Sequence, residues 1–342
     1  MSIDLIYITD QKKGITRIKK GDAFNYYDCD GNSIQDKKEI ERLNNLAIPP
    51  IWEDVWVCDN PKGHLQAVGY DQKGRKQYLY HEDWMNYRNK SKYHKIYEFG
   101  KCLPEIRKKA YNDIQQSGWP RTKVLGLVIL TLDELHIRIG NQHYKKVNET
   151  YGLTTLRRRH LHLTKDTIKL EYKAKSGKYR KINIKNNQLV NMIREVSELP
   201  GYEIFRYKEK GKTIPVDSHD VNEYLKELSN ESFSSKDFRT WGGTIKAIEK
   251  IPEAIARVNE NNRLKLSSTL VKLVAKDLGN TQSICRDYYI HPIVMDKVEN
   301  QELESFELED FDSGKFGHEP AEKKALELIE EYESKVNFEE VL

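Results

Sequence analysis

Four stretches of this chain set a cation or a phenol beside residues that break regular backbone: LHIRIGNQHY (135 to 144), YKAKSGK (172 to 178), KDFRTWGGT (236 to 244) and LGNTQSICRDYYIHP (278 to 292). Such residues suit the handling of a phosphate, because guanidinium and ammonium groups donate hydrogen bonds to anionic oxygens and a phenol can serve as nucleophile. Arg138 stands between Ile137 and Ile139 near the end of an apolar run, and Arg239 between Phe238 and Thr240-Trp241. A charge among apolar neighbours is costly unless it is paired or meets an anion. Taken alone, each arginine therefore reads as half of a structural ion pair with a carboxylate. Lys175 alone reads as a turn lysine, and Tyr288 and Tyr289 as aromatic packing in a chain with twenty tyrosines.

Other chemistries lack their residues. His160 and His162 are two apart, but no H-E-x-x-H or carboxylate partner accompanies them, and Arg157, Arg158 and Arg159 would oppose a cation. No catalytic metal or other cofactor is expected. The chain has no G-x-x-x-x-G-K-[ST] or G-x-G-x-x-G cradle and no G-x-S-x-G elbow, so neither a nucleotide fuel nor serine hydrolase chemistry is expected. Cys29, Cys58, Cys102 and Cys285 form no C-x-x-C pair and read as core thiols rather than a disulfide framework or zinc knuckle. With no run of 18 apolar residues and no basic-then-apolar leader, the expected location is the reducing cell interior, away from membranes: cytoplasmic, and nucleoid-associated in a bacterium.

The elements that must position these residues fall into two regions. After a helix expected over 37 to 46 and stopped by Pro49-Pro50, strands are expected at 54 to 58, 64 to 70 and 75 to 81, joined by the turns D-N-P-K-G and D-Q-K-G as a small antiparallel meander. From Asp83 the pattern turns helical, first to about Gln116, then, after Gly118-Trp119-Pro120, over 121 to 139. A hairpin with arms 167 to 173 and 179 to 184 interrupts it, and further helices are expected at 187 to 198, 218 to 229, 235 to 249, 263 to 278 and 281 to 288. This is an α+β organisation with a β-rich domain over 1 to 84 and a mainly helical one over 85 to 300. Charge divides likewise. Residues 301 to 342 hold fourteen acids against four bases, net −10, which leaves +14 on residues 1 to 300 of a total of +4. A basic body suits a polyanion such as nucleic acid. The acidic segment reads as a solvated tail with a short amphipathic helix starting at Pro320 and carrying Ala325, Leu328, Ile329 and Tyr332.

Taken in series, the motifs resemble one family. IPPIWEDVWVCDNPKGHLQAVGYDQKGRKQYLYH, then R-I-G-N with NETYGLTTLRRRH, the hairpin lysine, K-D-F-R-T-W and N-T-x-S-I-C-R-x-Y-Y-I-H-P occur in the order found in type IB DNA topoisomerases of the small poxviral and bacterial kind. The resemblance covers about residues 45 to 293. It implies a small β-rich N-terminal domain and a larger, mainly α-helical catalytic domain of the type IB topoisomerase/tyrosine recombinase kind. It also implies a monomer that closes around double-stranded DNA and relaxes supercoils with neither ATP nor an obligatory metal. Carried over residue by residue, it makes Tyr289 the nucleophile, Arg138 and Arg239 the arginines on the scissile phosphate, and Lys175 the proton donor to the leaving 5′ oxygen. Asn280 stands where poxviral members carry histidine; an amide can donate a hydrogen bond but cannot exchange a proton, so its expected role is electrostatic. The strand bearing Gln77, Tyr78 and Tyr80 matches a segment that enters the major groove. Tyr144, Lys145, Lys146 and Arg157 are expected to meet phosphates.

Two rivals share parts of this pattern. A tyrosine recombinase has the paired arginines and the tyrosine, but ordinarily an H-x-x-R where this chain has Lys236-Asp237-Phe238-Arg239. A catalytically silent DNA-binding protein would keep the basic body and lose the five reactive positions, all of which are filled here by competent residues.

Overall fold

Ile15 and Arg17 face inward from the first strand, β1 (Ile15–Lys20), in a computed structural model that describes residues 4–21, 23–303 and 314–335. β1 pairs antiparallel with β2 (Ala23–Tyr27), which is followed by helix α1 (Lys37–Asn45). Next come β3 (Glu53–Val57), β4 (Leu65–Tyr70) and β5 (Lys76–Tyr80), and the five strands form one antiparallel sheet in the order β2-β1-β3-β4-β5. The expected three-strand meander is its β3-β4-β5 part. β1 and β2 escaped the pattern because an inward arginine breaks the apolar alternation. Arg17 is only 9% exposed and donates to the carbonyls of Ile48 (2.8 Å) and Pro49 (2.9 Å), so its charge is met by loop oxygens. Ile15, Tyr26, Val55, Val57 and Ala67 form the core with Leu43 of α1, whose first turn is capped by Asp36 accepting from the Lys38 N–H.

The chain divides into two compact units between Lys92 and Tyr93, within the long helix α2 (Glu82–Asp113); the boundary expected at 84 lies in the first turn of that helix. The second unit continues with α3 (Arg121–Leu135) and α4 (Gln142–Asn148), then a three-stranded antiparallel sheet of β6 (Leu161–Leu163), β7 (Ile168–Lys173) and β8 (Tyr179–Ile184). After α5 (Asn187–Ser197) come the hairpin β9 (Arg206–Glu209) and β10 (Lys212–Pro215) and helix α6 (Ser218–Ser229). Helices α7 (Asp237–Glu260), α8 (Leu266–Leu278), α9 (Gln282–Tyr288), α10 (Pro292–Glu299) and α11 (Pro320–Lys335) complete it. α3 is buried on all sides from Val124 to Leu132 save Leu130, which makes it the spine of the helical core. α7 runs past the expected stop at 249 and through Pro252, because Ile248, Ile251 and Ala254 keep its apolar face buried.

The acidic segment departs from its reading as a solvated tail. α11 buries Ala321, Ala325, Leu328 and Ile329, together with the carboxylate of Glu322, and packs on α7 and α10. Residues 304–313 and 336–342 of that segment lie outside the described residues. Among the described residues no helix is long and apolar enough to cross a membrane.

Candidate active site

α3 ends where His136 turns left-handed (φ 47°, ψ 34°) and donates its N–H to the Leu132 carbonyl at 2.8 Å. The strand-like segment that follows is pinned through two backbone bonds, Leu153 N–H to Arg138 O (2.8 Å) and Thr154 N–H to Ile139 O (2.7 Å). Arg138 is thereby fixed between two buried anchors, Ile137 on one side and Leu153 on the other. Its Nη2 donates to the side-chain oxygen of Asn280.

Asn280 owes its place to the end of α8. Gly279 adopts the left-handed conformation (φ 65°) and donates to Lys276 O, while the Asn280 N–H reaches back to Ala275 O at 3.0 Å. The same Asn280 oxygen accepts from Arg239 Nη2 at 3.3 Å. Arg239, in the first turn of α7 and only 4% exposed, also donates to His136 O (2.6 Å) and Leu278 O (3.1 Å). Neither arginine pairs with a carboxylate among the described residues, which removes the ion-pair reading that each invites alone. Arg239 Nε and Asn280 Nδ2 are buried with no hydrogen-bond partner. Two guanidiniums thus share one amide oxygen while two donors remain unmet, an arrangement that calls for an anion. Burial, then the charge of Arg239, pulls the Arg138 pKa below its ordinary value, and Tyr289 partly offsets this.

Tyr289 closes α9 as its C-cap, with its N–H on Cys285 O at 3.0 Å. Its ring centre lies 5.1 Å from the guanidinium carbon of Arg239. Its backbone lies on α7: a Cβ at Gly243 would run into the Tyr289 carbonyl and come within 2.8 Å of the Tyr289 Cβ, so glycine is what admits this approach. The next turn is stitched to the same helix by His291 N–H donating to Thr244 Oγ1 at 3.1 Å. Cys285 is fully buried, and burial pushes its thiol up to about 12, which leaves it inert beside the phenol. Tyr288 is 42% exposed.

Lys175 stands apart from these four. It occupies the exposed tip between β7 and β8, where Ser176 (φ 64°) and Gly177 (φ 75°) are both left-handed and Ala174 N–H bonds Lys178 O at 2.7 Å. Its arm is nevertheless tied toward the others by a residue that sequence reasoning passed over. Arg180 on β8 donates to the last carbonyls of α8, Lys276 O (3.2 Å) and Asp277 O (2.6 Å), and lies where a Cβ on Gly279 would be. The hairpin is therefore fastened to the turn that carries Asn280. Nothing in sequence distinguishes Arg180 among Lys178, Arg180 and Lys181. His136, which offers its carbonyl to Arg239, gave no signal at all.

The other candidates lie on both units. In the first, Tyr78 is 48% exposed and stacks on Tyr80 (6.2 Å, 15°), while Gln77 Nε2 donates to Asp71 Oδ2 at 3.1 Å. In the second, Tyr144 and Lys146 are exposed on α4, but Lys145 is drawn into an ion pair with Glu203 at 2.7 Å. Arg157 lies over the Tyr202 ring at 5.7 Å, and His160 Nδ1 accepts from the Arg157 N–H at 3.1 Å. Among the described residues no group of three His, Cys, Asp or Glu side chains could hold a metal ion.

Similarity to known proteins covers both units. The family described as eukaryotic DNA topoisomerase I, catalytic core, matches residues 76–309, which leaves α11 outside the matched span. The bacterial DNA topoisomerase IB N-terminal domain matches residues 23–71. The DNA topoisomerase 1B of Acanthamoeba polyphaga mimivirus is 31% identical over 84% of this chain and 88% of its own length. That of vaccinia virus (strain Copenhagen) is 23% identical over 78% and 84%. A crystal structure of the XerH site-specific recombinase bound to palindromic difH substrate aligns over 58% of this chain and 51% of that chain, with 14% identity and a TM-score of 0.35, too slight a likeness to carry an argument. A β-sheet N-terminal region, a helical catalytic domain and relatives matched over most of both lengths lead to one conclusion: the chain belongs to the type IB DNA topoisomerases.

Proposed function

We propose that this chain, acting as a monomer, relaxes supercoiled duplex DNA without nucleotide fuel by joining one strand to Tyr289 as a 3′-phosphotyrosine, letting the free end swivel, and resealing it. The observation that carries the reading is the pair of buried donors, Arg239 Nε and Asn280 Nδ2, unmet in a pocket that already gathers two guanidiniums and a tyrosine. Nonbridging oxygens of a phosphodiester are the acceptors such a pocket lacks.

A phenol, with an ordinary pKa of about 10, attacks as phenolate. The proton leaves to solvent as the attack proceeds. The phenolate oxygen bonds to phosphorus while the bond to the 5′ oxygen breaks. Charge gathering on the nonbridging oxygens is met by Arg138, Arg239 and Asn280. The departing alkoxide takes a proton from Lys175, brought over the strand by its hairpin. The new ester keeps the energy of the broken linkage, so the reverse attack by the 5′ hydroxyl restores the strand without fuel. Tyr78, Tyr144 and Lys146, all exposed, would contact the duplex, whereas Lys145 would first have to leave Glu203.

Supercoiled plasmid in EDTA without ATP is expected to relax. Tyr289→Phe is expected to bind duplex normally but to give neither relaxation nor adduct; an adduct that persists moves the nucleophile to Tyr288 or elsewhere. Lys175→Ala is expected to slow cleavage about 10²- to 10⁴-fold. The defect should largely vanish on a strand whose leaving 5′ oxygen is replaced by sulfur, since a thiolate departs without a proton. Equal slowing on both strands would give the lysine another role.

A further inference from the structure

We propose that Glu322 and Tyr332, both on α11, are positioning residues for the phosphoryl-transfer pocket and hold the segments carrying Arg239 and Tyr289 in register. This rests on the function proposed above. It also gives the acidic C-terminal helix a task that charge alone does not suggest.

The arginine end begins with Trp241, two residues beyond Arg239 and fully buried. Its indole N–H donates to Glu322 Oε1 at 3.0 Å, and a Cβ at Gly100 on the opposite side would run into the indole ring. Trp241 is thus held between α2 and α11. Glu322, 4% exposed, takes two further hydrogen bonds from Arg107 (2.7 and 2.8 Å). Arg107 also donates to Asp133 (2.7 and 3.1 Å) and to the Gly317 carbonyl (3.1 Å). Asp133 is three residues before His136, whose carbonyl receives Arg239. A single carboxylate therefore joins both walls that fix Arg239, the start of α7 and the end of α3. Burial alone would raise the Glu322 pKa, but the hydrogen bonds and charge of Arg107, with the N–H groups of Trp241 and Glu319, together outweigh it and hold the carboxyl below its ordinary value, so the link stays ionised at neutral pH.

The tyrosine end lies ten residues further along the same helix, about 15 Å at the α-helical rise. There the Tyr332 ring meets His291 edge to face at 5.2 Å, and Tyr93 meets the same imidazole at 4.8 Å from α2. His291 is two residues beyond Tyr289, donates its N–H to Thr244, and caps α10 by accepting the Ile293 N–H at 3.2 Å. Tyr93 Oη donates to Ile290 O at 3.0 Å. Lys297 on α10 pairs with Glu331 at 3.0 Å, keeping this end of α11 against the helix that follows the tyrosine. One continuous helix consequently spaces the two segments, and reactive geometry is sensitive to displacements of about 1 Å.

The test uses the full chain at a temperature well below its melting point, with saturating duplex and a single-turnover readout of covalent adduct. Glu322→Ala is expected to lower the adduct-forming rate about tenfold while duplex affinity stays within about twofold. Glu322→Gln, which keeps an oxygen for Trp241 but turns an amide donor toward the N–H groups of Arg107 or Glu319, should recover the rate only in part. Tyr332→Leu should slow cleavage likewise and Tyr332→Phe should not. Glu327→Ala, on the exposed face of α11, is the control. Variants that melt at lower temperature yet cleave at the unsubstituted rate would overturn the proposal and leave α11 a packing element. The unsubstituted protein run alongside separates the two claims: adduct there with unaltered rates in the variants sinks only the helix's role, whereas no adduct there sinks the parent reading with it.

Discussion

Asn280 carries one acceptor and two donors, and the pocket uses them differently. Its oxygen holds Arg138 and Arg239, and its amide nitrogen is left buried for something else. Asn280→Asp separates these uses. A carboxylate would accept from both guanidiniums more strongly, but it would remove the amide donor and cancel charge where an anion must sit. The variant is expected to melt no lower than the parent and to form adduct at least about 10²-fold more slowly. Undiminished adduct formation would mean that the phosphate is held elsewhere. The five residues proposed to react could be singled out because each lies in a local motif, R-I-G-N, K-S-G-K, K-D-F-R-T-W or N-T-x-S-I-C-R-x-Y-Y-I-H-P. What the arginines touch was not legible. Their partners are the carbonyls of His136 and Leu278 and one amide, and a main-chain acceptor leaves no mark on residue type.

Elements were read well where periodicity is strong and poorly where polar residues point inward. The helices at Asn187–Ser197, Ser218–Ser229 and Gln282–Tyr288 start and stop within about a residue of expectation, each with a side-chain cap at its start. The short α4 and the hairpin β9-β10 carry too few apolar residues to declare themselves. The reach of α7 matters most for function, since a single helix presents Arg239, Trp241, Gly243 and Thr244 in its first two turns. Gly243→Ala tests that arrangement. The added methyl meets main chain rather than a flexible side chain, so relief requires Tyr289 or the helix to shift. We expect about 1–3 kcal/mol of destabilisation by urea unfolding, and adduct formation impaired even in the folded fraction. A fully active, equally stable variant would show that the approach of Tyr289 to α7 is looser than described.

At the scale of the whole molecule, two histidines couple stability to acidity. Burial drives the imidazole of His136 down to about 3 and that of His160 to about 4, so both are neutral in the folded chain while the unfolded chain protonates them near pH 6.5. The unfolded state then binds more protons between those values, and stability is fully present above about pH 6.5 and lost as pH falls below it. Each histidine contributes a slope of up to roughly 1.4 kcal/mol per pH unit in that window. Denaturant unfolding at pH 7.5 and pH 5.0 should show the drop, and equal stability would mean that the imidazoles titrate freely when folded. The attachment of Tyr289 also has a mechanical side. Its main chain is laid on α7 and its flanks are tied to Thr244 and Tyr93. A DNA end joined to its phenol would pull against the middle of the helical core rather than against a yielding surface loop. Torque released by an unwinding helix would then be borne by packed side chains, and the tethered end would stay within reach of its partner while the other revolves.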